Sequence, residues 1–379
     1  MMGRRLGGSF IVALLVLLAT GCYPPTSHAY ARKTDSWAHQ LQEVLDHKVE
    51  ELKVPGIQVA VRRGDFYWSG TSGTIGFKNK EGLAPDHVFR VGSVTKTFTA
   101  ALILKLYEQG KIDLDDKLST WFPDYPQAAS ITVRHLLNHS SGIYNYTENL
   151  WLTARTFLRS KKRWDPAQLL ESTFKRKFSF PPGTGHYYSN TNYIILGLIA
   201  EKITGKALLE AYREYLFTPA KLNNTYFVPY EEAPEKLVTG YDRDLFPFGV
   251  YKLKPEATSF ATLAYAAGAV ASTAEDLRRW IDTLLASDFL TPEVRGDMMR
   301  YLEATDPDVP GQLGYGLGLR VLAVGDDLIF GHTGTIPGFG AVAFYCPEKD
   351  YSVAVVSNLS LFDQTNVVGA LVQILNLNY

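Results

Sequence analysis

Phe89-Arg90-Val91-Gly92-Ser93-Val94-Thr95-Lys96 is the stretch on which the fold turns. A short β-compatible run and a turn-forming glycine lead into a Ser and a Lys three residues apart. These two head an apolar-periodic segment, 97–109, that Gly110 closes. On a helix, positions three apart share a face, so the Lys96 amine can reach the Ser93 hydroxyl one turn away. The free N–H groups of a first helical turn favour the negative charge that builds as an alkoxide attacks. A serine hydroxyl is a poor nucleophile at neutral pH. For Lys96 to act as its base, the amine must be stripped of its proton by burial or by a neighbouring cation. Ser172-Thr173-Phe174-Lys175 repeats the spacing, but it lies among Lys161, Lys162, Arg163, Arg176 and Lys177, as a solvated face does. Spacing alone does not choose between the two; the strand, turn and apolar helix around Ser93 favour it, and the decision comes from two further motifs along the chain.

Outward from this stretch, residues 37–52 show helical periodicity, and 57–62 with 66–69 read as a hairpin across Arg63-Gly64-Asp65. Near the other end, 328–330, 341–346 and 351–356 are β-rich runs, and 367–375 is helical. Between them the chain is mostly helical: 132–138 follows a Ser130 cap, and 192–203 stops at Gly205. Strands at both ends around a helical middle imply an α+β fold. The expectation is an antiparallel β-sheet, its early and late strands paired, flanked by helices and carrying an inserted all-helical lobe at about 97–280. A cleft between the sheet and the lobe is the natural place for a site.

The 379 residues allow one large domain or two, and 46% hydrophobic with 20% charged residues is a globular profile. A net charge of -1 gives no footprint for a phosphate backbone, so nucleic acid is not expected as a partner. The cluster Lys161-Lys162-Arg163 reads as a solvated face. At the N-terminus, Arg4 and Arg5 precede an apolar run, 10–19, about half the length needed to cross a bilayer. Residues 1–21 are therefore expected to be an export signal, 22–35 a linker and 36–379 the folded domain. Leu18-Ala19-Thr20-Gly21-Cys22 is similar to a lipobox, which makes Cys22 the lipidation site and the protein an exported one, periplasmic or held at the cell envelope by a lipid anchor in the membrane. Ser27-His28-Ala29 is a competing cleavage site. Cys346 is the other cysteine, so no intramolecular disulfide is expected once Cys22 is modified or removed, and in its strand-like run the Cys346 thiol reads as buried and inert.

Three motifs in order carry a family resemblance. The stretch 89–96, Tyr188-Ser189-Asn190 and His332-Thr333-Gly334 together resemble the signatures of the serine β-lactamase and DD-peptidase superfamily. The pattern covers nearly the whole chain after the signal. Leu136-Leu137-Asn138-His139-Ser140-Ser141-Gly142, Pro182-Gly183-Thr184, Ser189-Asn190-Thr191-Asn192-Tyr193 and Gly331-His332-Thr333-Gly334-Thr335 are similar to the class C β-lactamase and DD-carboxypeptidase branch. The resemblance implies that Ser93 is acylated and that Lys96 and Tyr188 share the proton transfers, with the base left open. Tyr188 could be that base only if cations such as Lys96 stabilised its phenolate. Asn190 would contact a substrate amide, where a turn-forming Asn is the plainer reading. Gly334 would admit a substrate backbone along an edge strand, although alone it reads as a bulge or strand end. The N–H groups of Ser93 and Thr335 would form the oxyanion hole.

His332 stands where the general pattern has Lys. This version is similar to that of actinomycete-type DD-carboxypeptidases and related esterases, which ranks peptidase or esterase above antibiotic hydrolysis. Charged or neutral, His332 could help bind a substrate carboxylate only conditionally. Thr333, Thr335 and Arg320 are the further candidates for that group, Arg320 otherwise being a solvent-facing strand arginine. The expected function is a serine acyl hydrolase like a D-alanyl-D-alanine carboxypeptidase, with esterase or weak class C-like β-lactamase as alternatives. From another class, a non-turnover sensor of β-lactams or muropeptides would retain the fold, but the intact set of Ser93, Lys96 and Tyr188 argues against it. The partner is thus a small-molecule or peptide substrate. The eight histidines form no H-E-x-x-H, His135 and His139 read as structural, and no phosphate cradle is present, so neither metal nor cofactor is implied.

Overall fold

The apolar runs near the two chain ends, far apart in sequence, form the centre of one sheet. The computed structural model describes residues 27–232, 234–243, 250–360 and 362–377, without the side chains of 27–34 and 251. The expected signal segment and Cys22 lie outside the described residues. The strands of the main sheet are β1 (Gly56–Arg63), β2 (Phe66–Gly76), β3 (Asn79–Gly82), β9 (Leu302–Glu303), β10 (Gln312–Tyr315), β11 (Arg320–Val324), β12 (Asp327–Ile336), β13 (Phe339–Cys346) and β14 (Tyr351–Ser357). They run antiparallel in the order β3-β2-β1-β14-β13-β12-β11-β10-β9, with Val59 opposite Val355 where the first and last strands meet.

Every residue of β13 and β14 is buried, because the sheet is covered on both faces. Ala341, Ala343 and Tyr345 face one core, while Val342, Phe344 and Cys346 face the other. Helices α1 (Ser27–Leu52) and α11 (Gln364–Leu377) cover the second face, where Leu41, Leu45, Val367 and Leu371 join Val342 and Val355. Helix α1 opens ten residues before the expected Trp37, so the expected linker is helical from Ser27 on.

The insert contains α2 (Thr95–Glu108), α3 (Val133–Leu137), α4 (Leu150–Leu158), α5 (Pro166–Glu171), α6 (Asn190–Thr204), α7 (Leu208–Tyr212) and α8 (Ser259–Ala264). It also carries short strands: β4 (Phe89–Arg90), β5 (Tyr226–Phe227) and β8 (Val270–Ser272) form one small sheet, β6 (Gly240–Asp242) and β7 (Tyr251–Leu253) another. Two helices follow, α9 (Ala274–Ala286) and α10 (Pro292–Met299). Helix α9 lies on β1, β13 and β14, so the lobe ends before the expected 280. Its pattern explains this: Leu277, Trp280, Ile281, Leu284 and Leu285 are buried at three- and four-residue spacing, opposite Glu275 and Arg279. Helix α3 is capped by Thr132, not Ser130. The Thr132 hydroxyl stands immediately before the first helical residue and accepts from His135 N, while His135 Nδ1 accepts from Thr132 N.

Candidate active site

Strand β4 delivers the chain to a tight turn at the sheet–lobe junction. Gly92 takes a left-handed φ of +51°, and a Cβ there would lie 2.9 Å from backbone atoms of Thr335. The turn Gly92–Val94 runs into α2, which puts Ser93 and Lys96 on one face as expected. Ser93 borders two cavities. Lys96 is fully buried, and its Nζ lies 3.0 Å from Ser93 Oγ, 2.8 Å from Asn190 Oδ1 and 2.9 Å from Ala267 O. Burial and the nearby Arg320 charge hold this amine well below its ordinary pKa. A neutral amine has two N–H groups and one lone pair. Asn190 Oδ1 and Ala267 O can only accept, so they take the two N–H groups and leave the lone pair facing the Ser93 hydroxyl.

Tyr188 sits between the Lys96 amine and the Arg320 guanidinium, its ring centroid 4.8 Å from Lys96 Nζ and 4.9 Å from Arg320 Cζ. Its hydroxyl is buried without a hydrogen bond of normal geometry, and its polar neighbours are Ser93 and Arg320. Burial raises its pKa even against those neighbours, so at neutral pH it is a phenol and not the phenolate base left open above. The residue that positions it is His139. The His139 carbonyl accepts from Tyr187 N at 2.9 Å, and Nδ1 accepts from Ser189 N at 3.2 Å and from Asn192 Nδ2 at 3.1 Å. Its backbone holds a left-handed φ of +61°, and burial keeps the imidazole neutral, as an accepting Nδ1 requires. From the sequence alone His139 reads as structural; the contacts by which it positions Tyr188 reach 50 residues along the chain.

The third motif is arranged differently from the expectation. His332 is fully buried beneath the cleft; Nε2 accepts from Tyr315 Oη at 2.9 Å and Nδ1 donates to Thr333 O. Burial, with the charge of Arg320, pushes its pKa well down, so it is neutral and turned away from the cleft. The expected role of His332 as a substrate-binding group is therefore corrected: strand alternation aims Thr333 at the cleft and its neighbour inward. Gly334 also serves the chain itself, since a Cβ there would lie 2.0 Å from Val91 O and 3.1 Å from Ser93 N. The close approach is by the turn that carries Ser93, and it sets the Thr335 backbone beside that of Ser93. Strand β12 is interior as far as Gly331, which pairs with Arg320; beyond it, residues 332–336 have β13 on one side and, among the described residues, no strand on the other. The expected edge is thus half a strand long.

Asn190 is committed to Lys96 through Oδ1 and is within reach of Asn145 and Thr147 through Nδ2. Arg320 is buried rather than solvent-facing, paired with Asp306 at 2.9 Å and bonded to Gln312. The cavity on one side of Ser93, about 320 Å³, is walled by Tyr146, Phe157, Phe260, Leu263 and Ile336. The other, about 670 Å³, holds Tyr188, Thr333 and Thr335 with Asp306, Asp308 and Asp363 against Arg320, the one Lys or Arg among its described residues. The second S-x-x-K lies on the surface, with both Ser172 and Lys175 exposed. Cys346 is a buried free thiol. Among the described residues, no three His, Cys, Asp or Glu side chains are grouped to hold a metal.

Known structures share this arrangement of chain. D-amino acid amidase from Ochrobactrum anthropi SV3, solved with L-phenylalanine amide, superposes with a TM-score of 0.82 at 26% identity, over 90% of this chain and 99% of its own. A D-stereospecific amidohydrolase from Streptomyces sp. gives 0.77 at 31% identity, over 87% and 97%. Penicillin-binding protein 4* of Bacillus subtilis (strain 168) is 28% identical over 267 residues, 66% of this chain and 56% of its own length. Protein flp of Staphylococcus aureus (strain MW2) is 24% identical over 87% of this chain and 64% of its own. The chain therefore spans under two thirds of the length of these two curated relatives. With the β-lactamase family model matching residues 41–374, the chain belongs to that family, and it is related to penicillin-binding protein 4* and to the D-amino acid amidase whose fold it shares.

Proposed function

We propose that this protein is a serine acyl hydrolase that cleaves the amide bond of small D-amino acid derivatives with an apolar side chain, through an acyl-enzyme on Ser93. The observation that carries this reading is the pair of cavities on either side of Ser93, one apolar and one acid-rich. An apolar acyl side chain fits the first, and a substrate ammonium suits the second. A carboxypeptidase must instead hold a terminal carboxylate. Arg320 is the only Lys or Arg among the described residues of the polar cavity, and Asp306 already meets its charge. The names of the D-amino acid amidase and D-stereospecific amidohydrolase neighbours support the amide and its D configuration.

In this reading neutral Lys96 takes the Ser93 proton as Oγ attacks the carbonyl carbon. The N–H groups of Ser93 and Thr335 receive the oxyanion, a role in which one donor typically contributes about 3–4 kcal/mol. The C–N bond then breaks, Tyr188 protonates the leaving nitrogen, and the proton held on Lys96 restores the phenol. Lys96, neutral again, takes a proton from water as it attacks the ester and returns that proton to Ser93 Oγ when the acid leaves. The test compares D-phenylalanine amide, its L enantiomer and a peptide ending in D-Ala-D-Ala. The D-amide should have the highest kcat/KM. Hydrolysis of the D-Ala-D-Ala peptide with both amides inert would replace this reading by the carboxypeptidase.

A further inference from the structure

Helix α4 has two apolar faces, and the fold covers only one. Leu152 and Thr156 are buried, while Thr153 and Phe157 form part of the apolar cavity wall. On the other side Leu150, Trp151 and Leu158 are 82%, 66% and 86% exposed, and Ala154 is exposed between them. Large apolar residues clustered at this exposure mark a surface built to meet something. The charge around them says what. Residues 149–164 carry Arg155, Arg159, Lys161, Lys162 and Arg163 and no acidic residue, in a chain whose net charge is -1. Among the described residues, none of these five side chains forms a salt bridge. Partial desolvation and the like charges of Arg155 and Arg159 hold Lys162 below its usual pKa, a crowding that a sheet of negative charge relieves. A depression of about 370 Å³ lined by Leu158, Arg159, Ser160, Lys161 and Lys162 opens at the helix end.

We infer that α4 and the basic segment after it dock on an anionic phospholipid bilayer, with Leu150, Trp151 and Leu158 entering the interface and the five cations meeting the headgroups. Interfacial helices combine these features: Trp and Leu on the buried face, Lys and Arg at its margin. Nine residues at 1.5 Å each make α4 about 14 Å long, under half the hydrocarbon thickness, so it lies in the surface and does not span it. Because Thr153 and Phe157 belong to the same helix, docking brings the apolar cavity close to the lipid surface.

The test uses the full chain with vesicles of phosphatidylglycerol and phosphatidylethanolamine whose acyl chains are brominated, and reads tryptophan quenching. Trp151→Phe keeps an apolar side chain and removes the local reporter, so the difference from wild type isolates α4 from the N-terminal apolar run, which both proteins carry. We expect a Trp151-dependent quench with these anionic vesicles and little with phosphatidylcholine. In Lys161→Gln/Lys162→Gln the lipid needed for half the effect should rise about 30-fold, from roughly fivefold per surface cation. Equal quenching of wild type and Trp151→Phe, or of anionic and neutral vesicles, overturns the inference. So does concentration-dependent self-association, seen by sedimentation without lipid and abolished in Leu150→Ser/Leu158→Ser, which would make this face an interface between copies.

Discussion

Replacing Gly334 by Ala separates two explanations of that glycine. A Cβ at this position falls 2.0 Å from Val91 O, 3.0 Å from Val94 N and 3.1 Å from Ser93 N, all backbone atoms that no rotamer change can move. To restore even a tight 3.0 Å contact, β12 and the Gly92–Val94 turn must separate by about 1 Å, the scale of misplacement that costs about 100-fold in rate. Overpacking should also cost about 1–3 kcal/mol of stability. The control is Gly331→Ala on the same strand, whose Cβ meets Ala343 O at 1.9 Å, a clash with β13 instead of the turn. Both variants should therefore unfold at lower urea. Only Gly334→Ala should lose kcat, about 100-fold, with KM little changed, as measured by steady-state hydrolysis and urea titration. If Gly334→Ala keeps its kcat and raises only KM, the glycine serves substrate approach. If the two variants lose kcat equally, the displacement argument fails.

In the proposed mechanism the active form of Lys96 is the neutral amine; with its pKa lowered, kcat/KM should rise with pH through a value well below 10.5. In kcat, read at saturating substrate so that loss of the substrate ammonium does not intrude, no descending limb should appear before about pH 10, since burial raises the Tyr188 phenol above its ordinary range. Lys96→Arg, protonated at every accessible pH, should lose about 10²–10⁴ of rate, and the limb with it. His139→Ala should lower kcat with KM spared by freeing both sides of Tyr188, and His139→Asn, which keeps an acceptor, should recover part of it; kinetics on both variants checks this. His139, His186 and His332 are held neutral, His186 at about 4, against 6.5 in the unfolded chain. The unfolded state then binds more protons, so stability present above pH 6.5 should be lost as pH falls towards 4, by up to about 1.4 kcal/mol per histidine per pH unit. Urea unfolding across that range reads the slope; a flat profile would contradict the buried neutral ring assignments.

Local chemistry was legible from residues alone. The apolar runs of β1, β13 and β14, the helix opening at Ser93 and the glycine stop after α6 all depend on neighbours within a few positions. What escaped depends on the third dimension. The orientation of His332 is a matter of strand parity against a cleft whose side only the assembled sheet fixes. Gly334 lies against a turn some 240 residues earlier in the chain, a contact that its own neighbours in sequence do not announce. Arg320 reads from the sequence as solvent-facing or substrate-binding, and its pairing with Asp306 lies outside both readings. His139 gave a signal in the Asn-His-Ser-Ser-Gly string, but its function lies in a hydrogen bond to Ser189 that no spacing rule encodes.

The most direct test of the nucleophile is intact-mass spectrometry after a small serine-directed phosphonate, on wild type, Ser93→Ala and Ser172→Ala. The account predicts a single phosphonyl adduct on wild type and Ser172→Ala, and none on Ser93→Ala. An adduct that survives in Ser93→Ala would contradict it.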